Sequence, residues 1–120
     1  MRIEGTKNTP CIIIEKGFIE IKGRSIPEDA HEFFSPVITG IQSFTEDIPE
    51  KTEVSFRLEY INSGSKKYVS TILGVLDELY LKGKDITVFW YYDHDDESML
   101  DLGNDFKSLL DLPFNVVEVK

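Results

Sequence analysis

The stretch Val54-Ser55-Phe56-Arg57-Leu58-Glu59-Tyr60-Ile61-Asn62-Ser63-Gly64-Ser65 joins a strand pattern to the start of a helix pattern. Apolar and polar residues alternate as far as Tyr60, which is typical of a half-buried β-strand. The small polar residues that follow interrupt the strand, and apolar residues then recur at three- and four-residue spacing from Val69 to Tyr80. This strand, turn and amphipathic helix indicate an α/β fold.

Toward the N-terminus, two short apolar runs flank Lys16-Gly17 and predict a β-hairpin. A helix is expected after Pro27, because apolar residues recur there with helical spacing. These residues are Ala30, Phe33, Phe34, Val37, Ile38, Ile41 and Phe44. Pro36 lies inside the helix and is expected to kink it or to end a short first piece. A polar link from Glu46 to Lys51 leads to the next strand.

Toward the C-terminus, Lys82-Gly83 is predicted to end the helix that follows Ser65. The nearly continuous apolar run from Ile86 to Tyr92 predicts a strand covered on both faces. A third helix with an acidic start and a last strand from Phe114 complete the order ββ-α-β-α-β-α-β. This order predicts one domain, residues 1–120, in which helices pack on a mainly parallel or mixed sheet.

Composition argues against several classes of partner. The chain has 120 residues, 13 basic and 22 acidic side chains, and a formal net charge of -9. Such a charge disfavours nucleic acid and anionic membranes as partners, and favours a protein with a basic or mixed surface. No apolar run is long enough to span a membrane, and no secretory signal is present at the N-terminus. The single cysteine, Cys11, fits a core position in a protein of the reducing cytoplasm.

Motifs of enzymes are absent: the sequence has no phosphate-binding glycine loop, no nucleophile elbow and no zinc-spaced cysteines. We therefore expect neither catalytic residues nor a cofactor. One alternative is open, because Asp93, His94, Asp95 and Asp96 carry oxygen and imidazole groups that suit a metal ion. These residues could serve a small metal-binding protein or a metal-dependent enzyme. A structural role is the simpler interpretation, because acidic residues favour the first turn of a helix.

The segment Asn62-Ser63-Gly64-Ser65-Lys66-Lys67 is the strongest local candidate for a functional site. Hydroxyl groups are placed there beside the free N–H groups of a helix start, where negative charge is stabilised. A phosphoryl group on Ser63 or Ser65 would be accepted at this position and would add about 1.5 to 2 negative charges. Serine, asparagine and glycine are also common helix caps and turn residues, so a purely structural role is the alternative.

Four motifs, in order along the chain, resemble those of the SiaC family of bacterial regulatory phosphoproteins. They are Glu4-Gly5-Thr6-Lys7-Asn8-Thr9-Pro10, Gly23-Arg24-Ser25-Ile26-Pro27-Glu28-Asp29, Tyr60-Ile61-Asn62-Ser63-Gly64-Ser65, and Trp90-Tyr91-Tyr92-Asp93 with Asp96-Glu97. The resemblance implies a STAS-like fold similar to anti-sigma-factor antagonists, with an N-terminal hairpin and a mixed sheet flanked by about three helices. It covers essentially the whole chain.

The resemblance also implies a non-enzymatic, partner-switching role. Family members are phosphorylated by a GHKL-type kinase and dephosphorylated by a PP2C-like phosphatase. In the best-known system, the unphosphorylated form binds and activates a diguanylate cyclase. The phosphoacceptor follows the Asn of a Tyr-x-Asn-Thr-Ser-Ser motif, which corresponds to Ser63 here, with Ser65 as the alternative. Serine replaces the usual threonine, and Gly64 replaces a serine. Asn62 and Gly64 are then expected to shape the turn, and Lys66 and Lys67 to influence kinase docking or the phosphate. A constitutive adaptor that is never modified is a further alternative.

Overall fold

The structure is a computed structural model that describes residues 1–45 and 51–119, and for residues 44 and 45 the backbone alone. Its strands are β1 (Arg2–Ile3), β2 (Cys11–Glu15), β3 (Phe18–Ser25), β4 (Thr52–Ile61), β5 (Ile86–Asp93) and β6 (Phe114–Val119). Its helices are α1 (Ala30–Thr45), α2 (Ser63–Leu81) and α3 (Glu97–Leu109). In this described part of the chain, no helix is long and apolar enough to cross a lipid bilayer.

The six strands form one mixed sheet in the order β1-β2-β3-β4-β5-β6. β1 pairs antiparallel with β2, and β2 with β3, whereas the three pairs from β3 to β6 are parallel. The predicted hairpin and the α/β class are therefore confirmed. Gly17 has a φ of 85° in the hairpin turn, a conformation that glycine adopts without strain. β1 was not predicted, because two residues are too few to show a periodic pattern.

All three helices lie on one face of the sheet. Each parallel crossover moves one strand further in the same direction, and right-handed crossovers of this kind place successive helices on the same side. The burial of β3 and β4 agrees, because Ile19, Ile21 and Phe56 are buried while Lys22 and Arg57 are exposed. The described elements thus leave the other face of the sheet without a helix.

The prediction that β5 is covered on both faces is wrong. Val88 and Trp90 are buried under the helices, but Phe89 and Tyr91 are only half-buried on the opposite face. An apolar run of this kind usually marks a strand between two layers of helices. Here the strand order puts every helix on one side, so the aromatic residues on the other side remain partly accessible.

α1 continues through Pro36, so the prediction that the proline ends a short first piece is wrong. Pro36 is exposed, whereas Phe34, Val37 and Ile41 are fully or almost fully buried. Packing of this apolar side stabilises the helix against the loss of one backbone hydrogen bond at the proline. The predicted polar link falls mainly on residues 46–50, outside the described residues, as does the side chain of Phe44.

Trp90 is the centre of the core beneath α3. Its ring contacts those of Phe56, Phe106 and Phe114, with centroids 5.3, 5.5 and 6.2 Å away. Its indole N–H donates to the Met99 carbonyl oxygen at 3.0 Å, which satisfies a polar group in a fully buried side chain. α3 is therefore fixed in position over β5 by both packing and a hydrogen bond.

Candidate functional site

The candidate site lies where β4 ends and α2 begins, and Asn62 is the single residue between them. Asn62 has extended backbone angles, and its side-chain oxygen accepts a hydrogen bond from the Ser65 N–H at 2.9 Å. Its backbone carbonyl accepts from the Lys66 N–H at 3.0 Å, which closes the first turn. Asn62 is thus the N-cap, as the preference of asparagine for this position predicts, and Ser63 is the first helical residue.

Ser63 and Ser65 have opposite environments. Ser63 is exposed, whereas Ser65 has no accessible surface. Each residue advances about 100° around a helix, so residues two apart point to nearly opposite sides. The sequence carried a signal for this difference, because Ser65 precedes the buried Val69 by four residues and therefore shares its inward face. Ser63 is the serine of this pair that a kinase could reach in this fold.

The Ser65 hydroxyl is also fully engaged. It donates to the Ser25 carbonyl oxygen at 3.1 Å and accepts from the Ser25 hydroxyl at 2.8 Å. The same Ser25 carbonyl accepts from the Asn62 N–H at 3.0 Å. Ser25 is the last residue of β3, which lies parallel beside β4 and is paired there with Ile61. Three hydrogen bonds thus join the end of β3 to the start of α2.

Ser25 is a site residue that the sequence analysis missed. Its segment, from Gly23 to Asp29, is one of the four motifs that resemble the family, but no site role was predicted for Ser25. A usable signal existed, because the carboxyl ends of neighbouring parallel strands meet at one edge of a sheet. Ser25 ends one such strand and Asn62 directly follows the other, so the topology brings them together once the strand order is known.

Gly64 is the second residue of α2, and its backbone does not require the left-handed region. A methyl group on Gly64 would lie 3.4 Å from the Ala30 Cβ, which is ordinary contact distance. A larger side chain would therefore be directed at the start of α1. The role of Gly64 in shaping the turn stays a prediction, and the structure adds that the residue lies next to the start of α1.

The first turns of α2 carry positive charge. The first turn of α2 has no acidic residue, whereas those of α1 and α3 contain Glu32 and Glu97. Lys66 and Lys67 are exposed at three and four residues beyond Ser63, the spacing that puts side chains on one side of a helix. Together with the positive end of the helix dipole, these lysines make the surface beside Ser63 suited to an anion.

A shallow groove of about 310 Å³ separates the starts of α2 and α3. Lys66 and Tyr60 line it on one side, and Asp96 and Ser98 line it on the other. The Tyr60 side chain is 57% exposed, which is unusual for a large aromatic residue next to a core strand. Exposed aromatic and basic side chains of this kind are common in protein interfaces, and the groove also contains the carboxylates of Glu59 and Asp96.

The acidic segment after β5 has structural roles. Asp96 is the N-cap of α3 and accepts from the Met99 N–H at 3.0 Å, while its own N–H donates to the Asp93 carbonyl at 2.9 Å. His94 Nδ1 lies 3.0 Å from a carboxylate oxygen of Glu118, and this contact raises the pKa of the His94 imidazole. Among residues 1–45 and 51–119, no three acidic, histidine or cysteine side chains are grouped to hold a metal ion. The predicted alternative ligands are therefore not assembled into a site.

The fold and the site together define a class of protein: a mixed α/β domain that presents an accessible serine at a positively polarised helix start. Comparison with known families agrees, since the family model described as SiaC family regulatory phosphoprotein matches residues 3–119. The chain belongs to the SiaC family, as the four sequence motifs predicted. An uncharacterized protein of Pseudomonas aeruginosa (strain UCBPP-PA14) is 31% identical to it over 118 residues, which cover 97% of this chain and 94% of the relative.

Solved structures share the fold over nearly the full length. SiaC of Pseudomonas aeruginosa, in a crystal structure with the diguanylate cyclase SiaD that it activates, superposes with a TM-score of 0.93 and 30% identity, covering 99% of each chain. The crystal structure of apo-SiaC from the same organism gives a TM-score of 0.88 and 30% identity, covering 97% of this chain and 96% of the other. The predicted mixed sheet with three flanking helices is confirmed by these structures.

Proposed function

We propose that this chain is a non-enzymatic switch protein that regulates an effector according to the phosphorylation state of Ser63. The observation that carries the proposal is the contrast between the exposed Ser63 and the fully buried, doubly hydrogen-bonded Ser65 at the start of α2. Membership of a family of regulatory phosphoproteins supports a phosphorylated residue in the chain. Ser63 is the acceptor in this proposal, and Ser65 is a structural residue.

The transfer reaction belongs to the kinase, which binds ATP and Mg²⁺. The Ser63 hydroxyl oxygen attacks the γ-phosphorus of ATP, the bond from that phosphorus to the β-γ bridging oxygen breaks, and ADP leaves. The hydroxyl proton passes to a base of the kinase. A PP2C-like phosphatase reverses the modification by hydrolysis and releases inorganic phosphate. The GHKL type of the kinase and the class of the phosphatase follow from the family resemblance, as does a location in the bacterial cytoplasm.

The start of α2 is suited to hold the phosphate. The backbone N–H groups of Ser63 and Gly64 have no carbonyl acceptor within α2, because both residues lie in its first turn. A phosphate on Ser63 therefore lies beside hydrogen-bond donors that the helix does not use. Lys66 and Lys67 add positive charge on the same side of the helix. Phosphorylation therefore replaces a positive surface by one carrying about 1.5 to 2 additional negative charges, without disturbing the buried serine pair.

The effector is a diguanylate cyclase in this proposal. Support comes from the complex of Pseudomonas aeruginosa SiaC with its cyclase SiaD, because SiaC and this chain superpose over almost their whole length. The unphosphorylated surface around Ser63 and Tyr60 binds the cyclase, and the phosphate weakens this contact by changing the charge. Under the same proposal, an anti-sigma-type factor is the second class of effector that the fold suits.

The acceptor is tested by incubating the purified chain with its cognate GHKL-type kinase and Mg-ATP, followed by tandem mass spectrometry. We expect one phosphate on Ser63 and none on Ser63→Ala. Ser70→Ala, which alters another exposed serine of α2, is the matched control and should be labelled as wild type. Labelling of Ser63→Ala to the same extent as wild type would show that the acceptor is elsewhere.

The switch is tested by titrating the cyclase with wild type, with the phosphorylated chain and with Ser63→Asp. We expect binding and cyclase activation by wild type, and affinity reduced by at least about tenfold after phosphorylation, because a doubly charged group enters the contact surface. Ser63→Asp carries a smaller charge and should give a smaller reduction. Equal affinity of all three forms would indicate a constitutive adaptor instead.

A further inference from the structure

The sheet face opposite the helices has a cleft that the proposed switch does not use, and two of the side chains lining it, Lys22 and Arg57, are cations. By strand register, Lys22 of β3 lies beside Arg57 of β4, and Tyr91 directly follows Trp90, the last residue of β5 that is paired with β4. The Arg57 guanidinium carbon stands 4.1 Å from the centre of the Tyr91 ring. Together with Glu59, Asp93 and Val119, these residues line a cleft of about 190 Å³, which we call the open-face cleft.

The two cations of the open-face cleft have no ionic partner within the described residues. The ion pairs found there are Arg2 with Glu4 and His94 with Glu118, so no carboxylate lies within 4.0 Å of Lys22 or Arg57. Neither cation donates a hydrogen bond to a described residue, and both side chains are exposed. The Arg57 guanidinium is therefore held in place over an aromatic ring with its donors available.

Lys22 and Arg57 form a like-charge pair on neighbouring strands. Like charges directly opposite each other on neighbouring strands repel, and here they stand side by side in a chain whose formal net charge is -9. An acid bound between Lys22 and Arg57 would remove the repulsion. Carboxylates match the planar fork of arginine with two parallel hydrogen bonds, and a guanidinium already fixed over Tyr91 loses little freedom on binding.

Size and surroundings favour a protein segment as the source of the anion. The cleft is smaller than the roughly 300 Å³ of typical small-molecule sites, so it suits one or two side chains. Beside it, Phe89 and Val117 are half-buried on the same face, and the Phe89 and Tyr91 rings stack at 6.5 Å. A segment in which acidic residues alternate with apolar ones would place carboxylates on the cations and apolar groups on the aromatic surface.

We propose that the open-face cleft is a docking site for an acidic segment of a protein partner, in which a carboxylate binds Arg57 and Lys22. This surface lies on the face of the sheet opposite α2, so its occupation is separate from the phosphorylation of Ser63. Glu59 and Asp93 line the cleft near the carboxyl ends of β4 and β5, where their negative charges repel an acidic segment. The segment therefore approaches from the other side, over Phe89 and Val117.

The probe for the test is a capped peptide of four Glu-Leu repeats, titrated into the ¹⁵N-labelled chain and followed by NMR. We expect shifts at Lys22, Arg57 and Tyr91, and a weakening of at least about tenfold in Arg57→Glu, because a charge-assisted pair is replaced by repulsion. Arg57→Gln serves as a second variant if the charge reversal disturbs the sheet. Lys107→Glu, the same charge change on the exposed side of α3, should bind as wild type.

Three results would overturn the proposal. One is an Arg57→Gln variant that folds and binds the peptide with wild-type affinity. Another is equal binding of a Lys-Leu peptide at the same residues, which would show that the surface recognises apolar groups alone. The third is inorganic phosphate producing the same shifts and displacing the peptide, which would make the cleft a site for small anions. None of these measurements uses the kinase or the cyclase, so they can fail or succeed independently of the proposed switch.

Discussion

The Ser25 hydroxyl donates a hydrogen bond to the Ser65 hydroxyl at 2.8 Å, and both side chains are fully buried although they are 40 residues apart in sequence. This contact joins the end of β3 to the first turn of α2, directly beneath the exposed Ser63. Its consequence is a division of roles between the two serines of the α2 start. Ser65 is buried and hydrogen-bonded, whereas Ser63 is exposed, as the proposed acceptor must be.

We predict that Ser65→Ala lowers the free energy of unfolding by about 1 to 3 kcal/mol, because the Ser25 hydroxyl loses its acceptor in a buried position. Urea denaturation followed by circular dichroism measures this change. Ser25→Ala should cost less, because the Ser65 hydroxyl keeps the Ser25 backbone carbonyl as its acceptor. Ser63→Ala is the surface control and should stay within about 0.5 kcal/mol of wild type. Equal losses for Ser63→Ala and Ser65→Ala would contradict the assigned roles.

The N-cap gives a second prediction. Asn62→Ala removes the acceptor of the Ser65 N–H and should lower the free energy of unfolding by about 0.5 to 2 kcal/mol. Asn62→Asp keeps an acceptor and adds a favourable charge at the helix start, so it should be close to wild type in stability. The same denaturation experiment measures both variants. If the aspartate variant were as unstable as the alanine variant, the side-chain cap would not be the cause.

Replacement of a helix glycine by alanine is expected to have opposite effects on stability at Gly103 and at Gly74. A methyl group on Gly103 would lie 2.8 Å from Trp90 Nε1, too close for van der Waals contact, so Gly103→Ala should destabilise by about 1 to 3 kcal/mol. Gly74 in α2 has no atom within 4 Å of that position, so Gly74→Ala should stabilise by about 0.5 to 1 kcal/mol through helix propensity. Thermal unfolding separates the two, and tryptophan fluorescence should change only in Gly103→Ala.

The contact between His94 and Glu118 predicts that the stability of the fold depends on pH. The hydrogen bond and charge of Glu118 raise the pKa of the exposed His94 imidazole above its ordinary value of 6.5. A pKa raised on folding stabilises the folded state most fully below the ordinary value, and this contribution is lost as pH rises through the raised pKa. Glu118→Gln should therefore lower the His94 pKa in an NMR titration. The free energy of unfolding of Glu118→Gln should be lower than that of wild type at about pH 5.5, and the difference should be smaller at about pH 8.5. An unchanged pKa would exclude this contact in solution.

The elements of the fold were predictable because periodicity is a local property. The alternation from Val54 to Tyr60 and the helical spacing from Val69 onward each appear within one segment, so they identify β4 and α2 without knowledge of the rest. The Asn62 cap is local in the same sense, since its side chain reaches only to Ser65. The position of the candidate site therefore follows from the sequence alone.

Contacts between segments distant in sequence were decided by the tertiary structure. The sequence does not show that Ser25 meets Ser65, because that contact depends on β3 lying parallel beside β4. Nor does the apolar run of β5 show which of its faces is covered, because the order of strands in the sheet puts all three helices on one side. Local sequence sets the period of each element, and packing between elements decides which side chains are buried and which remain accessible.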